Sequence, residues 1–223
     1  LSRIVAKGVH ACQDRERVLE PYFARSAYDV QQECERQMVR LARYAYEQTG
    51  CPNLCIAGGV GLNAPSNAKI LTETSVKRLW IPPACSDTGI SFGLALWGYF
   101  QEVATAKSPK VSVSMTTAYA GRPYPRAQTE ALLREHGIES RPAAPEEIAQ
   151  SIADGKIVGW FEGGSEFGPR ALGHRSILAD PRDPAMKDRL NASVKFREDY
   201  RPYAPSILAE HAKEWFSLTC DSP

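Results

Sequence analysis

The chain has 223 residues, 43% hydrophobic and 24% charged, with 27 basic and 26 acidic side chains and a net charge of +1. That size suits one large globular domain or two small ones. A balance so near neutral argues against a broad nucleic-acid or membrane-surface footprint, and no apolar run approaches the ~18 residues that a membrane helix requires. The opening Leu1-Ser2-Arg3-Ile4 carries neither a methionine nor a signal-peptide pattern, and it reads as the interior of something longer.

In chain order, the clearest helix is expected over residues 29–48. Val30, Cys34, Met38, Leu41 and Ala45 fall on one stripe, Asp29 and Gln32 resemble a capping box, and Gly50 follows the far end. Residues 53–57 read as a short buried strand that runs into Gly58-Gly59-Val60-Gly61-Leu62-Asn63. A helix is predicted from Ser66 through Ile70, then a second strand over 77–81, stopped by Pro82-Pro83. Residues 88–104 are apolar nearly all round (Ile90, Phe92, Leu94, Leu96, Trp97, Phe100), the pattern of a helix buried inside a domain.

The faceless stretch 105–117 reads as a linker, which puts a domain boundary near Met115 and gives domains 1–115 and 116–223. Beyond it, helices are expected at 126–136 and 145–154 and a strand at 156–161. Strands alternating with helices indicate an α/β class.

Six cysteines (Cys12, Cys34, Cys51, Cys55, Cys85, Cys220) are irregularly spaced. Cys51 and Cys55 lack the second pair that a tetrahedral zinc site needs, and Cys55 is expected to be a small buried residue. A reducing cytoplasm is the expected compartment. Of the four histidines, His10, His136 and His211 lie in unrelated segments and read as surface residues. Only His174 sits where a ligand could be expected.

The unusual chemistry lies in Glu162-Gly163-Gly164-Ser165-Glu166-Phe167-Gly168-Pro169-Arg170-Ala171-Leu172-Gly173-His174-Arg175-Ser176, with Lys195, Arg197 and Arg201 after a short helix begun by Asp183-Pro184. Arginine on a constrained loop suits two-point capture of phosphate or carboxylate, and Gly-rich backbone adds N–H donors. The same residues also fit plain surface ion pairs to Asp180, Asp183 and Glu198, and the spacing alone does not choose. Gly58-Gly59 at a strand end is open to two readings, a close approach to a ligand or a tight turn. Asp87 reads either as a helix cap or as a metal or phosphate ligand.

Taken together, Gly58 to Asn63, Ser86-Asp87-Thr88-Gly89, the run from Glu166 to Arg182, Lys195-Phe196-Arg197-Glu198 and Arg201-Pro202 resemble the NodU/CmcH carbamoyltransferases, in order and in approximate spacing. The resemblance implies part of an actin-like (ASKHA, ribonuclease-H-like) carbamoyl-transfer domain followed by part of a YrdC-like domain. It implies that carbamoyl phosphate and ATP react in the second domain to give carbamoyl-AMP and pyrophosphate, and that a hydroxyl of a small specialised metabolite or oligosaccharide then takes the carbamoyl group in the first.

By that resemblance Arg170, Arg175, Lys195, Arg197 and Arg201 face phosphates, with Ser176 as a hydrogen-bonding partner. Gly58, Gly59 and Asn63 contact the adenylate. Asp87 is one ligand of a divalent metal, expected to be Fe(II), whose histidines belong to a His-x-x-x-His motif that this sequence does not contain. The resemblance further implies that the first part of one domain and the tail of the other lie outside this chain, and that these residues alone are inactive. Gly61, where the family pattern has alanine, and Ala64-Pro65 depart from it.

Two other readings stand beside this one: a tRNA-threonylcarbamoylation relative, against which the neutral charge weighs, and a non-catalytic nucleotide- or phosphate-binding module. No nucleic-acid or membrane partner is expected. Neither the acceptor nor the oligomeric state is written in these motifs.

Overall fold

A computed structural model describes residues 19–103, 115 and 117–218. His10, Cys12 and Cys220, and most of the expected linker, lie outside them. The described residues divide into two compact units, those up to Ser86 together with those from Ile207 onward, and those between Asp87 and Ser206.

In the first unit, α1 (Pro21–Thr49) precedes β1 (Asn53–Cys55), a 3-10 turn (Gly59–Leu62), α2 (Ala64–Glu73) and β2 (Arg78–Trp80). β1 and β2 pair in parallel, Asn53 with Arg78 and Cys55 with Trp80, and α2 makes the crossover. Parallel neighbours cannot be joined by a tight turn, so a helix between them is the ordinary solution. α1 packs on α2, and the core is Ala42, Ile70 and Val76 with Met38, Leu54, Ile56 and Leu71 around it.

α1 begins eight residues before the expected start. Pro21 opens it, because the fixed φ of proline suits the first helical turn and its missing N–H is not needed there. Asp29 is therefore interior and pairs with Arg25 at 3.0 Å rather than capping. The buried line of α1 is Glu35, Val39 and Ala42, whereas Val30 and Leu41 are exposed. A charged residue within the inward line hid its phase. Glu35 is accommodated there by Lys69 Nζ at 2.6 Å and by Gln31 and Gln32 Nε2 at 2.7 and 3.3 Å.

β1 alternates, with Leu54 inward and Cys55 exposed, so the expectation of a buried Cys55 is corrected: a three-residue strand with one covered face turns every second side chain out.

The second unit opens with a 3-10 turn (Asp87–Gly89) and α3 (Ile90–Gly98), which widens into a π turn (Tyr99–Val103). Then come α4 (Arg126–Glu135), α5 (Pro145–Ala153), β3 (Val158–Phe161), β4 (Arg175–Leu178), α6 (Met186–Leu190) and a π turn (Asn191–Lys195). β3 and β4 are antiparallel, Val158 opposite Leu178 and Phe161 opposite Arg175. Met186, Leu190 and Asn191 are buried.

α3 does not meet the expectation of a buried helix. Ile90, Phe92, Leu94 and Trp97 are exposed, Trp97 by 65%. An all-round apolar sequence marks what a helix could bury, and only neighbouring chain decides what it does bury; Phe92 finds the edge of the Phe167 ring at 5.6 Å. No helix among the described residues is long and apolar enough to cross a membrane.

Candidate anion-binding site

The loop between β3 and β4 folds around one carboxylate. Glu166 has a side chain with 0% exposure, and its Oε1 accepts from the backbone N–H of Leu172, His174 and Arg175 at 2.7, 2.9 and 3.1 Å. Its Oε2 accepts from Arg175 Nε at 2.7 Å, and Arg175 Nη2 donates to the Glu166 carbonyl at 2.8 Å. Burial alone would raise this carboxyl. The Arg175 guanidinium and the backbone donors of Leu172 and Arg175 outweigh it and hold Glu166 well below the usual carboxylate range. The expected cradle of N–H groups is therefore present, and the anion in it is the protein's own.

A second strand of backbone fixes this loop from outside. Gly121 N–H donates to the Ser165 carbonyl at 2.9 Å, and Phe167 N–H donates to that of Ala118 at 2.6 Å. A Cβ on Gly164 would stand 2.4 Å from the Gly121 oxygen, and one on Gly121 would stand 2.7 Å from Ser165 N. Both glycines are required by close approach of backbone to backbone. His174 donates through Nδ1 to the Gly164 carbonyl at 2.8 Å, since a carbonyl can only accept. Ser176 Oγ accepts from Gly173 N–H at 3.0 Å.

The structure thus gives the predicted basic residues different settings. Arg175 is fixed and still 39% exposed, while Arg170 is exposed and, among the described residues, pairs with no acid. The other group gathers around Asn191, which is buried. Asn191 Oδ1 accepts from Arg197 Nε at 2.9 Å and from Tyr203 OH at 2.8 Å, and the Arg197 guanidinium lies 4.6 Å over the Tyr203 ring. Phe196, the one described non-glycine residue with positive φ, turns the chain between Lys195 and Arg197. Lys195 is exposed, and Arg201 pairs with Glu198 at 3.0 Å.

Of the expected acidic partners, Asp180 is taken by Arg182, through Nε at 2.8 Å, and Asp183 accepts from the backbone N–H of Ala185 at 2.9 Å. Glu166 and Asn191, the two organising residues, were not singled out from the sequence. The available signal was an acid inside a Gly-Pro-Arg loop, which needs internal donors if it turns inward.

In the first unit, Gly58 has φ 106° and ψ 155°, a region essentially confined to glycine, and its N–H donates to the Cys85 carbonyl at 2.6 Å. Space beside Gly59 is open. Asn63 caps α2: Oδ1 accepts from Ser66 N–H at 3.1 Å and from Gln31 Nε2 at 3.1 Å, while Nδ2 donates to Gln31 Oε1 at 2.9 Å. Most of its amide is committed within the protein.

A separate open cleft of about 710 Å³ along α1 and α2, lined by Glu35, Arg36, Arg40, Arg43 and Lys69 among others, includes none of Gly58, Gly59 and Asn63. In the second unit Asp87 is exposed in its 3-10 turn, and the cap position of α3 falls on Gly89, so Asp87 is not that helix's cap. Among the described residues no three His, Cys, Asp or Glu side chains cluster as metal ligands. Asp87 stands there as a single exposed carboxylate, and the histidines expected beside it belong to a motif that this sequence does not contain.

Two sequence profiles of one family match the chain. The one described as Carbamoyltransferase N-terminus covers residues 6–96, and the one described as Carbamoyltransferase C-terminus covers residues 149–223. The chain belongs to this carbamoyltransferase family.

Among its relatives are the nodulation protein NolNO of Sinorhizobium fredii, 40% identical over 85% of this chain and 28% of that protein, and the nodulation protein NolO of Bradyrhizobium diazoefficiens, 38% identical over 85% and 35%. A nodulation protein U of Sinorhizobium fredii is 38% identical over 78% and 29%. The chain therefore spans about a third of the length of the curated relatives it matches, 33% of one of them.

Proposed function

We propose that the intact protein carrying these residues is an ATP-dependent O-carbamoyltransferase, and that the loop between β3 and β4 belongs to the site that forms carbamoyl-AMP. Residues 1–115 are then the carboxyl-terminal part of an actin-like transfer domain, and 116–223 part of a YrdC-like domain. The observation that carries the reading is Arg175, anchored by Glu166 on one edge and open on the other, within a family of carbamoyltransferases.

The chemistry asks for such a group. Carbamoyl phosphate gives its phosphoryl group to water as inorganic phosphate. The carbamate oxygen then attacks the α-phosphorus of ATP and expels pyrophosphate, leaving carbamoyl-AMP. Negative charge builds on the expelled oxygens, and a cation already held in place stabilises it without reorganising in the act. AMP is then a good leaving group for attack by an acceptor hydroxyl on the carbonyl carbon. Arg170 and Lys195, exposed and unpaired with acids among the described residues, would add charge to the same phosphates, as would Arg197 and Arg201 on release from their present partners. Ser176 would orient an oxygen.

The test is pyrophosphate release from ATP and carbamoyl phosphate by the intact protein and by Arg175→Ala. Release that collapses in the variant supports the reading. Folded protein that binds ATP and releases no pyrophosphate would favour a binding module without the chemistry.

A further inference from the structure

The adenylation reading leaves Glu166 without a part. It cannot meet a substrate phosphate, being fully buried and negatively charged. Five contacts nevertheless converge on this one residue, four on its carboxylate and one on its carbonyl, and two of the five come from the Arg175 side chain. We infer that Glu166 is a positioning residue: it holds Arg175 edge-on, so that one side of the guanidinium is anchored and the other is presented to an oxyanion of the substrate.

The donor inventory supports this. A guanidinium has five N–H groups in a fixed plane. Nε and one hydrogen of Nη2 are spent on Glu166, which among the described residues leaves both hydrogens of Nη1 and the second of Nη2. Those remaining donors lie on the edge away from Nε, and the side chain is 39% exposed. A free arginine would have to lose rotamer freedom on binding; this one has already lost it, so more of each contact appears as affinity.

The same carboxylate also binds the backbone of Leu172, His174 and Arg175, so side chain and backbone of Arg175 are fixed by one group. Those backbone donors are consequently closed to ligand. The binding anion is met by the guanidinium and not by the loop amides.

This inference rests on the adenylation reading, and one experiment separates the two. In the intact protein, Glu166→Gln, Arg175→Lys and the double variant are compared with wild type by KM and kcat for carbamoyl phosphate in pyrophosphate release, and by calorimetric binding of inorganic pyrophosphate. Glu166→Gln keeps the shape and turns a donor toward Arg175 Nε. Arg175→Lys keeps the charge and loses the anchored edge.

Each single variant is expected to raise KM and the pyrophosphate Kd about tenfold or more, the size of one charge-assisted hydrogen bond. The double variant should be no worse than Arg175→Lys alone, because Glu166 acts through Arg175. Folded Glu166→Gln protein with wild-type KM and Kd overturns the inference. If Glu166→Gln does not fold, wild-type KM and Kd in Arg175→Lys overturn it equally. Should wild type release no pyrophosphate yet bind it in a Glu166-dependent way, the adenylation reading fails and the presentation of Arg175 stands. If wild type neither turns over nor binds pyrophosphate, both fail.

Discussion

Tyr119 and His174 lie face to face, ring centroids 3.5 Å apart and planes within 2° of parallel, while the Tyr119 hydroxyl donates to the Leu172 carbonyl at 2.7 Å. The two contacts fasten opposite ends of the Leu172–His174 segment, whose Leu172 and His174 N–H groups donate to Glu166. The loop is thus held both by a ring and by a carboxylate.

Removing only the hydroxyl separates these supports. Tyr119→Phe keeps the stack and loses the hydrogen bond, and is expected to destabilise local closure by about 1 kcal/mol. Amide exchange at Leu172 and His174 should rise about fivefold, with helix α5 unaffected. Unchanged exchange at both amides would show that the hydroxyl contributes nothing.

Gly164→Ala should be far more damaging. The added methyl meets a backbone oxygen at 2.4 Å, which cannot swing aside as a flexible side chain can. A loss of roughly 3 kcal/mol or more is expected for the loop, at the upper end of overpacking effects. Rapid exchange from Ser165 to Arg175, together with loss of pyrophosphate release, checks it. Native exchange in Gly164→Ala would mean that the Gly121 segment yields.

Acid should open this loop through Glu166. Its native pKa is depressed, so the stability it contributes is complete above the unfolded value of roughly 4.3 and is withdrawn as pH falls below that toward the native value. Exchange of the Leu172 and Arg175 amides, corrected for intrinsic rates, is expected to accelerate as pH falls below about 4.3 in wild type. Glu166→Gln, with nothing to protonate there, should show a flat profile. Parallel profiles in the two proteins would assign the acid response elsewhere.

Two glycines of the first unit should respond oppositely to alanine. At Gly58, φ 106° with ψ 155° puts any Cβ in strain, and Gly58→Ala is expected to cost about 1–3 kcal/mol. Gly61 has no such φ, and its Cβ would meet methyl ends of Ile56 at 3.3 Å and Ile81 at 3.4 Å, with Cys85 Sγ at 3.4 Å. Because Ile56 is only half-buried and can give, Gly61→Ala should stabilise by about 0.5 kcal/mol by restricting the unfolded chain. Thermal melts of the two variants decide the order, and a lower Tm for Gly61→Ala than for Gly58→Ala would reverse it.

Local pattern carried much of this protein. Short-range chemistry alone marked strands over 53–57 and 77–81, helices over 126–136 and 145–154, and the Asp183-Pro184 entry to α6, because turn residues and helix starts act over a few neighbours; the structure has these elements at 53–55, 78–80, 126–135 and 145–153. It also isolated the Gly-Pro-Arg loop, whose length and residue order resemble one family closely enough to indicate it before any fold is known.

Packing in three dimensions settled which side chains face inward. Glu35 lies in the buried line of α1 because Lys69 comes from another helix, and Trp97 stays exposed on an apolar helix. Packing likewise put Glu166 in the amide cradle, and left the anchored Arg175 side chain 39% exposed. A charge is tolerated inside only when its partners arrive from elsewhere in the chain, and periodicity within one element carries no information about them.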